Sequence, residues 1–265
     1  MAAYGGGKAR LGRQIYKAIK EIQEKMNWYR GNSDITRAIS DTYFEPFCGM
    51  MGVSKYFIED ERYKKIILSD ANKDIVLLWN KLKRGQWSVP DCCTKEKYKQ
   101  LKYSKKHTAE RGFYGVSCAY SGIFFAGYRT KSITGQDFFQ SSRKNIIDIG
   151  NLLHCYSRKI KILNSSYLTI EPKGMIIYCD PPYEDNRFNI EHFNDFDSPL
   201  FWDTMRKWSK DNLVIISEYK APQDFKCVWM KSITSVFSRK TTTRIEKLFM
   251  YLPDLPDLPD KPDMP

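Results

Sequence analysis

The chain alternates short runs rich in β-branched and aromatic residues with longer stretches of helical periodicity, and this alternation constrains the fold most strongly. The predicted strands are TYFEPF, KKIILS, KIKIL, GMIIYC, NLVIIS and EKLFMY. Helical stretches such as ANKDIVLLWNKL, KNIIDIGNLLHCY and SPLFWDTMRKWSK lie between them, and an amphipathic helix over about residues 10–29 comes first. Strands that alternate with helices predict an α/β fold with a mostly parallel, doubly wound sheet.

The alternation is interrupted between about residues 81 and 131. This block holds 12 Lys and Arg residues against 3 acidic residues, so it carries +9 of the chain's net charge of +12. We therefore predict a basic, mainly helical insert over residues 81–135, which divides one α/β domain into residues 1–80 and 136–251. Residues 252–265 repeat Leu-Pro-Asp and are expected to form a disordered tail that favours the polyproline II conformation.

The basic excess indicates a polyanionic partner, and nucleic acid is favoured over a membrane surface. No apolar run is long enough to cross a membrane. The seven cysteines include no C-x-x-C pair, so neither a disulfide framework nor a zinc ribbon is indicated. The three histidines are scattered without metal-ligand spacing. We expect a soluble protein without a metal, in a reducing, cytoplasmic compartment.

Within the insert, the segment RGFYGVSCAYSGIFFAGYRTK interleaves aromatic side chains with glycines and cations. Aromatic faces stack on bases, and basic groups bind phosphates. The candidate DNA contacts are Arg111, Tyr120, Tyr128, Arg129 and Lys131, although some aromatics of the segment must belong to the core. For the neighbouring KEKYKQLKYSKK run, a solvated helix face is the alternative interpretation.

The segment Asp180-Pro181-Pro182-Tyr183 follows the apolar run GMIIYC. Open α/β sheets bind ligands at the carboxyl ends of their strands. An amino group on an aromatic ring is a poor nucleophile because its lone pair is delocalised, and hydrogen-bond acceptors can localise that pair. The Asp180 carboxylate and the Pro181 carbonyl can accept the two amino hydrogens, and the two prolines stiffen the loop. The loop therefore suits methylation of a ring amino group, with Tyr183 offering a flat face to the base.

Two further segments follow predicted strands. FEPFCGMMGVS follows the first, where glycines allow a backbone to approach a nucleotide-like ligand, and Asp70 ends the second, where an acid can bind ribose hydroxyls. The spacing G-x-G-x-x-G is absent, which disfavours a NAD site. A plain strand–turn–helix for the first segment and a helix N-cap at Asp70 remain the alternatives.

In combination, these motifs resemble the Dam-like DNA adenine methyltransferases of the D12 class. The matching features are a glycine-lysine motif near the start, EPFxG after the first strand, Asp70 after the second and DPPY after the fourth, and the resemblance extends to about Tyr251. It implies a Rossmann-like, S-adenosylmethionine-dependent methyltransferase fold with an inserted target-recognition subdomain. It also implies that an adenine is flipped out of duplex DNA and methylated on its exocyclic amino group.

The resemblance further implies roles for individual residues. The catalytic residues are Asp180, Pro181, Pro182 and Tyr183, and the cofactor contacts are Tyr4, Gly6, Gly7, Lys8, Glu45, Pro46, Phe47, Gly49, Asp70, Ser166, Tyr167 and Asp180. The chain departs from the family pattern at Tyr4, where Trp is usual, and at Met51, where a second glycine is usual. The segment NSSY at 164–167 also lacks the carboxylate found in many relatives. All three departures lie in or next to the segments that the resemblance assigns to the cofactor.

Two alternatives remain open from the sequence. Methylation of N4 of cytosine uses a chemically similar ring amine, although Asp at the first position of the loop resembles the adenine enzymes. A catalytically inactive DNA-binding module could keep the same fold, but it would not need an intact DPPY segment. The expected partner is double-stranded DNA, bound by a monomer, and the family context admits a functional pairing with a restriction nuclease.

Overall fold

The computed structural model describes residues 8–30, 41–131, 135, 137–183, 196–237 and 240–252. Its seven-stranded sheet has the order β3-β2-β1-β4-β5-β7-β6. The strands are β1 (Thr42–Glu45), β2 (Lys65–Asp70), β3 (Ile160–Asn164), β4 (Ile176–Cys179), β5 (Leu213–Glu218), β6 (Phe225–Phe237) and β7 (Lys240–Tyr251). Strands β1 to β5 are parallel, whereas β7 pairs antiparallel with both β5 and β6.

Seven α-helices lie within the described ranges. They are α1 (Gly12–Arg30), α2 (Ser54–Glu59), α3 (Lys73–Lys83), α4 (Lys95–Lys102), α5 (Ala109–Ser117), α6 (Phe138–Cys155) and α7 (Ser198–Ser209). Their starts follow local chemistry, since the side chain of Asn72 caps α3, and α7 begins at the N-cap Asp197 with a proline in its first turn.

Apolar side chains cover both faces of the sheet. On one face, Tyr43 packs in a large cluster with residues of α1, α2, α3 and the insert. The next residue, Phe44, points to the opposite face and joins a second cluster with Phe201 and Trp208 of α7. A parallel sheet that is buried on both faces is the doubly wound arrangement. The predicted Rossmann-like α/β fold class is therefore confirmed.

The strand order reverses between β1 and β4, which are neighbours in the sheet although two strands separate them in the chain. In open α/β sheets, ligands bind in the crevice outside the carboxyl ends of the strands at such a reversal. The segments after β1 and β4 are the predicted cofactor loop and the predicted catalytic loop. The topology thus places these two motifs next to each other.

The described part of the insert is mainly helical. Helix α5 packs on α3, and the carboxylate of Asp74 near the start of α3 accepts hydrogen bonds from the Thr108 backbone at 2.9 Å and from the Arg111 guanidinium. Side chains such as Tyr98 and Phe113 join the same apolar cluster as the sheet residue Tyr43. The insert therefore shares its core with the α/β domain, and the predicted domain boundaries stay a prediction.

The structure differs from the sequence prediction at one pair of cysteines. Cys93 and Cys118 form a disulfide with an S–S distance of 2.00 Å and a Cα–Cα distance of 6.6 Å. The expectation that no disulfide forms is wrong here, because Cys93 precedes α4 and Cys118 ends α5, and only tertiary packing brings them together.

Strand β6 was also not predicted, and the predicted tail lies outside the described residues from position 253 onward. Among the described helices, none is long and apolar enough to span a membrane.

Candidate active site

The turn after β1 is held in place from two sides. Gly49 has a positive φ of 42°, a conformation that favours glycine, and its backbone N–H donates a 2.9 Å hydrogen bond to Asp70 Oδ2. Its carbonyl oxygen accepts a 2.8 Å hydrogen bond from the indole nitrogen of Trp79 in α3. The backbone of this predicted cofactor loop is therefore fixed by the end of β2 and by a helix behind it.

Asp70 occupies the end of β2, as predicted. Its other oxygen, Oδ1, accepts a 2.8 Å hydrogen bond from the Asn72 backbone, and the cap of α3 is Asn72 and not Asp70. Burial raises the pKa of Asp70, while the N–H groups of Asn72 and Gly49 oppose that rise. A carboxylate oxygen can accept more than one hydrogen bond, so both oxygens retain capacity for hydroxyl donors.

Glu45 is buried at the end of β1. Its Oε2 atom accepts a 2.6 Å hydrogen bond from the Tyr43 hydroxyl and a second from the Ser54 hydroxyl. Burial raises the pKa of Glu45 to about 8, with the negative charges of Asp180 and Asp70 adding to the effect and the two hydroxyl donors opposing it. The negative charges of Asp180 and Asp70 at the neighbouring strand ends therefore act on Glu45 in addition to burial, and this local negative charge favours a positively charged ligand.

Asp180 follows β4 and forms an ion pair with Lys8, with 2.8 Å between Lys8 Nζ and Asp180 Oδ1. Lys8 Nζ also lies 2.5 Å from the Tyr183 hydroxyl and 3.3 Å from Glu246 Oε1 on β7. The Tyr183 hydroxyl in turn donates a 2.8 Å hydrogen bond to Glu246 Oε1. One buried lysine thus joins the predicted catalytic loop to the last strand of the sheet.

The three charged side chains around Lys8 interact electrostatically, namely those of Lys8, Asp180 and Glu246. Burial raises the pKa of Asp180 to about 6, the Lys8 ammonium opposes that rise, and the Glu246 carboxylate adds to it. Burial lowers the pKa of Lys8, but the attraction of Asp180 and Glu246 outweighs it and leaves that pKa raised. Asp180 is therefore a stronger proton acceptor than an ordinary, exposed aspartate.

The ring of Tyr183 is engaged as well as its hydroxyl. It meets the Tyr219 ring edge to face at 4.8 Å between centroids, and the Lys8 ammonium lies 4.4 Å from the centre of the Tyr183 ring. Burial raises the pKa of the Tyr183 hydroxyl well above its usual value. Pro181 is buried and Pro182 is half-buried, and the chain beyond Tyr183 leaves the described ranges at residue 184.

The segment after β3 meets the loop after β1. Tyr167 is buried and packs against Phe47 with 5.2 Å between ring centroids, while the Ser166 side chain accepts a 3.3 Å hydrogen bond from the Leu168 backbone. Pro46 is buried beside this contact. The structure therefore brings together the predicted cofactor residues after β1, β2, β3 and β4, whereas Tyr4, Gly6 and Gly7 lie outside the described residues.

The predicted DNA contacts divide into two groups. Arg111 is only 13% exposed, and its guanidinium bonds Asp74 and the carbonyl oxygens of Leu101 and Lys102. It also lies over the Phe125 ring at 5.0 Å. Arg111 therefore fastens α5 to α3 and stands apart from the other predicted contacts.

The remaining four residues lie close together along the chain after α5. Ala119 and Tyr128 form an antiparallel bridge, the Arg129 guanidinium lies 4.9 Å from the Tyr120 ring centre, and Lys131 is exposed. The Tyr128 hydroxyl donates a 2.9 Å hydrogen bond to the Cys93 carbonyl. Arg129, Lys131 and the ring of Tyr120 thus form a basic and aromatic surface, to which we refer as the Arg129 surface.

Sequence reasoning missed two residues of the site, Trp79 and Glu246. The signal for Glu246 lies in the alternation of β7, because Glu246 falls on the same face as Leu248 and Met250, all three of which are buried. An acidic residue in such a row predicts a buried partner. Trp79 carries no comparable signal, since an apolar helix face needs no hydrogen bond to account for a tryptophan. Within the described residues, no group of three or more potential ligands could hold a metal ion.

The sheet order and the site define a Rossmann-like α/β fold with its functional loops at the reversal of strand order. The model of the D12 class N6 adenine-specific DNA methyltransferase family matches residues 4–145, which is more than half of the chain. The chain therefore belongs to this family and is a methyltransferase. The match ends before Asp180, so the assignment by family and the geometry of the predicted catalytic loop are separate observations.

The other comparisons with known proteins do not identify a function. A search of curated proteins finds no significant match. Among solved structures, one described as a methylase from Haemophilus influenzae is 13% identical, with 89% of this chain and 99% of that chain covered and a TM-score of 0.34. One described as an RNA methyltransferase from Pyrococcus horikoshii is 8% identical, with 87% and 83% covered and a TM-score of 0.35. These TM-scores are too low to carry a conclusion about function.

Proposed function

We propose that this protein is an S-adenosylmethionine-dependent DNA methyltransferase that methylates the exocyclic amino group of an adenine flipped out of duplex DNA. The observation that carries the proposal is the position of Asp180 and Tyr183 at the carboxyl end of β4, beside the Glu45–Gly49 loop at the reversal of strand order. Membership of the D12 class family supports the adenine specificity.

The residues at the strand ends fit this cofactor. S-adenosylmethionine supplies, when bound, a methyl group on a positively charged sulfonium. The charges of Asp70 and Asp180 at the neighbouring strand ends add to the rise in the pKa of Glu45 that burial causes, and this negative charge favours a sulfonium. Asp70 would bind ribose hydroxyls, the Glu45–Gly49 loop would hold the methionine portion, and Ser166 and Tyr167 would lie against the adenosyl ring.

Asp180 performs the central task in this proposal. Its carboxylate and the Pro181 carbonyl accept the hydrogens of the target amino group, which localises the nitrogen lone pair for attack on the methyl carbon. A proton must leave the nitrogen once the new bond has formed. Asp180, with a pKa of about 6, is suited to accept this proton.

The DNA is bound by the basic insert, with the Arg129 surface as the best supported contact. Arg129, Lys131 and Tyr120 combine cations with an aromatic face, which suits phosphates and an unpaired or unstacked base. Arg111 does not belong to this surface, because its guanidinium is used within the fold. The protein acts as a monomer in this proposal, and a functional pairing with a restriction nuclease stays a prediction.

The experiment is transfer of radiolabelled methyl groups from S-adenosylmethionine to unmethylated DNA, followed by digestion and separation of the nucleosides. We expect N6-methyladenine from the wild type and loss of at least 100-fold of the rate in Asp180→Ala, an effect of the order that removal of a transition-state contact produces, about 10²- to 10³-fold. Asp203→Ala, an exposed change on α7, is the matched control and should retain full activity.

Any other result of this experiment would contradict part of the proposal. N4-methylcytosine as the product would replace adenine by cytosine as the substrate. DNA binding with no transfer of label would identify an inactive binding module. Retention of more than a tenth of the rate in Asp180→Ala would contradict the role of the catalytic loop.

A further inference from the structure

A single oxygen atom of Glu246 gathers three groups of the site. Glu246 Oε1 lies 3.3 Å from Lys8 Nζ and accepts hydrogen bonds of 2.8 Å from the Tyr183 hydroxyl and 2.5 Å from the Ser217 hydroxyl. The side chain of Glu246 is only 5% exposed. The three donors come from the segment before α1, the loop after β4 and strand β5, so this carboxylate is where three parts of the fold meet.

The position of Glu246 is costly unless these contacts are made. A buried carboxylate is destabilising without ionic and hydrogen-bonding partners. The neighbouring positions on the same face of β7, Leu248 and Met250, hold apolar side chains that need no partner. A leucine at position 246 would continue this row, so a purely structural explanation does not require an acid there.

Lys8 is shared between two carboxylates, because its Nζ atom lies 2.8 Å from Asp180 Oδ1 and 3.3 Å from Glu246 Oε1. If Glu246 were absent, the ammonium would lose one of these carboxylate partners and would compete more strongly with a substrate amino group for the Asp180 oxygens. Tyr183 would also lose the acceptor that anchors its hydroxyl.

We propose that Glu246 is a positioning residue of the methyl-transfer site, which holds Lys8 and Tyr183 in the places from which they face Asp180. The inference rests on the proposed function and extends it to a residue outside the catalytic loop. It assigns Glu246 no contact with the substrate.

The charges around Asp180 allow the proposed role of Glu246 to be tested through the pKa of Asp180. Burial raises the pKa of Asp180 most strongly, Lys8 lowers it, Glu246 raises it and the Tyr183 hydroxyl lowers it. Tyr178 and Cys179 on β4 and Glu45 on β1 also interact electrostatically with Asp180. Removal of the negative charge in Glu246→Gln should lower the pKa of Asp180, whereas removal of the positive charge in Lys8→Met should raise it. A general loss of packing would not move the two values in opposite directions.

The first measurement is the pH titration of the Asp180 carboxyl carbon by NMR, in cofactor-free protein labelled with ¹³C at aspartate side-chain carboxyl groups. The Asp180 signal is identified by its loss in Asp180→Asn. We expect its midpoint to fall by about 1 unit in Glu246→Gln and to rise in Lys8→Met. Glu171→Gln, a neutralisation of an exposed carboxylate that pairs with Lys207 on α7, is the matched charge control and should leave the midpoint unchanged. Ser217→Ala removes one hydrogen bond to Glu246 but no charge, and should shift the midpoint less than Glu246→Gln.

The second measurement is the pH profile of kcat. Its acid limb should move to lower pH in Glu246→Gln, while the plateau falls about tenfold or more because Lys8 and Tyr183 are no longer held. If Glu246→Gln does not fold, Glu246→Asp retains the charge and withdraws the contacts, and should lower kcat with little shift of the midpoint. An unchanged Asp180 midpoint and an unchanged kcat in Glu246→Gln, or shifts of the same sign in the Gln and Met variants, would overturn the proposal. Absence of methyl transfer from the wild type would instead refute the proposed function, and the NMR titration would still test the cluster.

Discussion

The indole nitrogen of Trp79 and the carbonyl oxygen of Gly49 are joined by a 2.8 Å hydrogen bond, through which helix α3 supports the turn after β1. In Trp79→Phe this buried carbonyl loses its donor, a loss that costs about 1 to 3 kcal/mol. Because the bond is lost from the free and the bound protein alike, this cost should appear mainly in the free energy of unfolding. Since the turn also belongs to the proposed cofactor site, we expect S-adenosylmethionine to bind more weakly by calorimetric titration. Trp202→Phe on α7 is the control and should change stability but not affinity. Equal affinities in Trp79→Phe and wild type would show that the turn is held without the indole.

A second prediction concerns the contact between α5 and α3. A Cβ atom at Gly112 would lie 2.8 Å from the carbonyl carbon of Asp74, a backbone atom that cannot move aside cheaply. Gly112→Ala should therefore lower the free energy of unfolding by about 1 to 3 kcal/mol. At Gly150 of α6 the nearest atoms belong to the Leu82 side chain at 3.2 Å, which can adjust. Gly150→Ala should cost less in chemical denaturation, or even stabilise, since alanine favours a helix by about 1 kcal/mol over glycine.

The raised pKa of Glu45 predicts how stability depends on pH. The folded protein keeps a proton on Glu45 up to about pH 8, whereas a glutamate in the unfolded chain releases its proton near pH 4.3. The folded state binds more protons across that window, so stability falls as the pH rises through it. Between the Asp180 value of about 6 and pH 8, wild type should lose up to about 1.4 kcal/mol per pH unit relative to Glu45→Gln in urea denaturation. Parallel pH profiles for the two proteins would show that Glu45 is ionised in the folded state.

Arg111 and the Arg129 surface should respond differently to neutralisation. In Arg111→Met the buried carboxylate of Asp74 loses its guanidinium partner, and we expect a loss of stability of about 3 kcal/mol or more. In the double change Arg129→Gln and Lys131→Gln, stability should be nearly unchanged. The slope of log DNA affinity against log salt should instead become shallower by about 0.9 for each phosphate that the protein no longer neutralises. An unaltered slope in the double variant would place the DNA elsewhere on the insert.

The disulfide predicts a thiol count. Of the seven cysteines, Cys93 and Cys118 are paired and five are free. Protein purified without reductant should therefore show five reactive thiols after denaturation, and seven after reduction. The cross-link closes a loop of 25 residues, so its reduction should lower stability by about 3 kcal/mol. Seven thiols before reduction would restore the sequence-based expectation of reduced cysteines.

Most of the fold could be predicted because its parallel strands are short, apolar and separated by helices. The β6–β7 hairpin could not be predicted in full. Its strands run from Phe225 to Phe237 and from Lys240 to Tyr251, and the polar residues of KSITS and KTTTR hide the alternation that marks a half-buried strand. Only the apolar end of β7 was identified from the sequence.

The site, like the fold, could be predicted from the sequence only in part. Asp70 and Asp180 could be located because each follows an apolar strand and belongs to a recognisable motif. Glu246, the partner of Lys8 on β7, could not be located, since its position depends on where β7 inserts in the sheet, and local sequence does not determine strand order. The partner of Arg111 could not be predicted for a related reason. Its position in a basic, aromatic segment favours a DNA contact, but a partner on another helix, Asp74, takes up its guanidinium.

The sharing of Lys8 between Asp180 and Glu246 has a consequence for how the protein is made. Lys8 leaves the ribosome well before Glu246, which belongs to the last strand of the sheet along the chain, and domains generally fold as the chain emerges. The basic insert lies between them and is translated before β7. The cluster of Lys8, Asp180 and Glu246 is therefore completed only when β7 has been released and pairs with β5. Under the proposed function, a nascent chain would thus gain its capacity for methyl transfer only after the last strand of the sheet has been made.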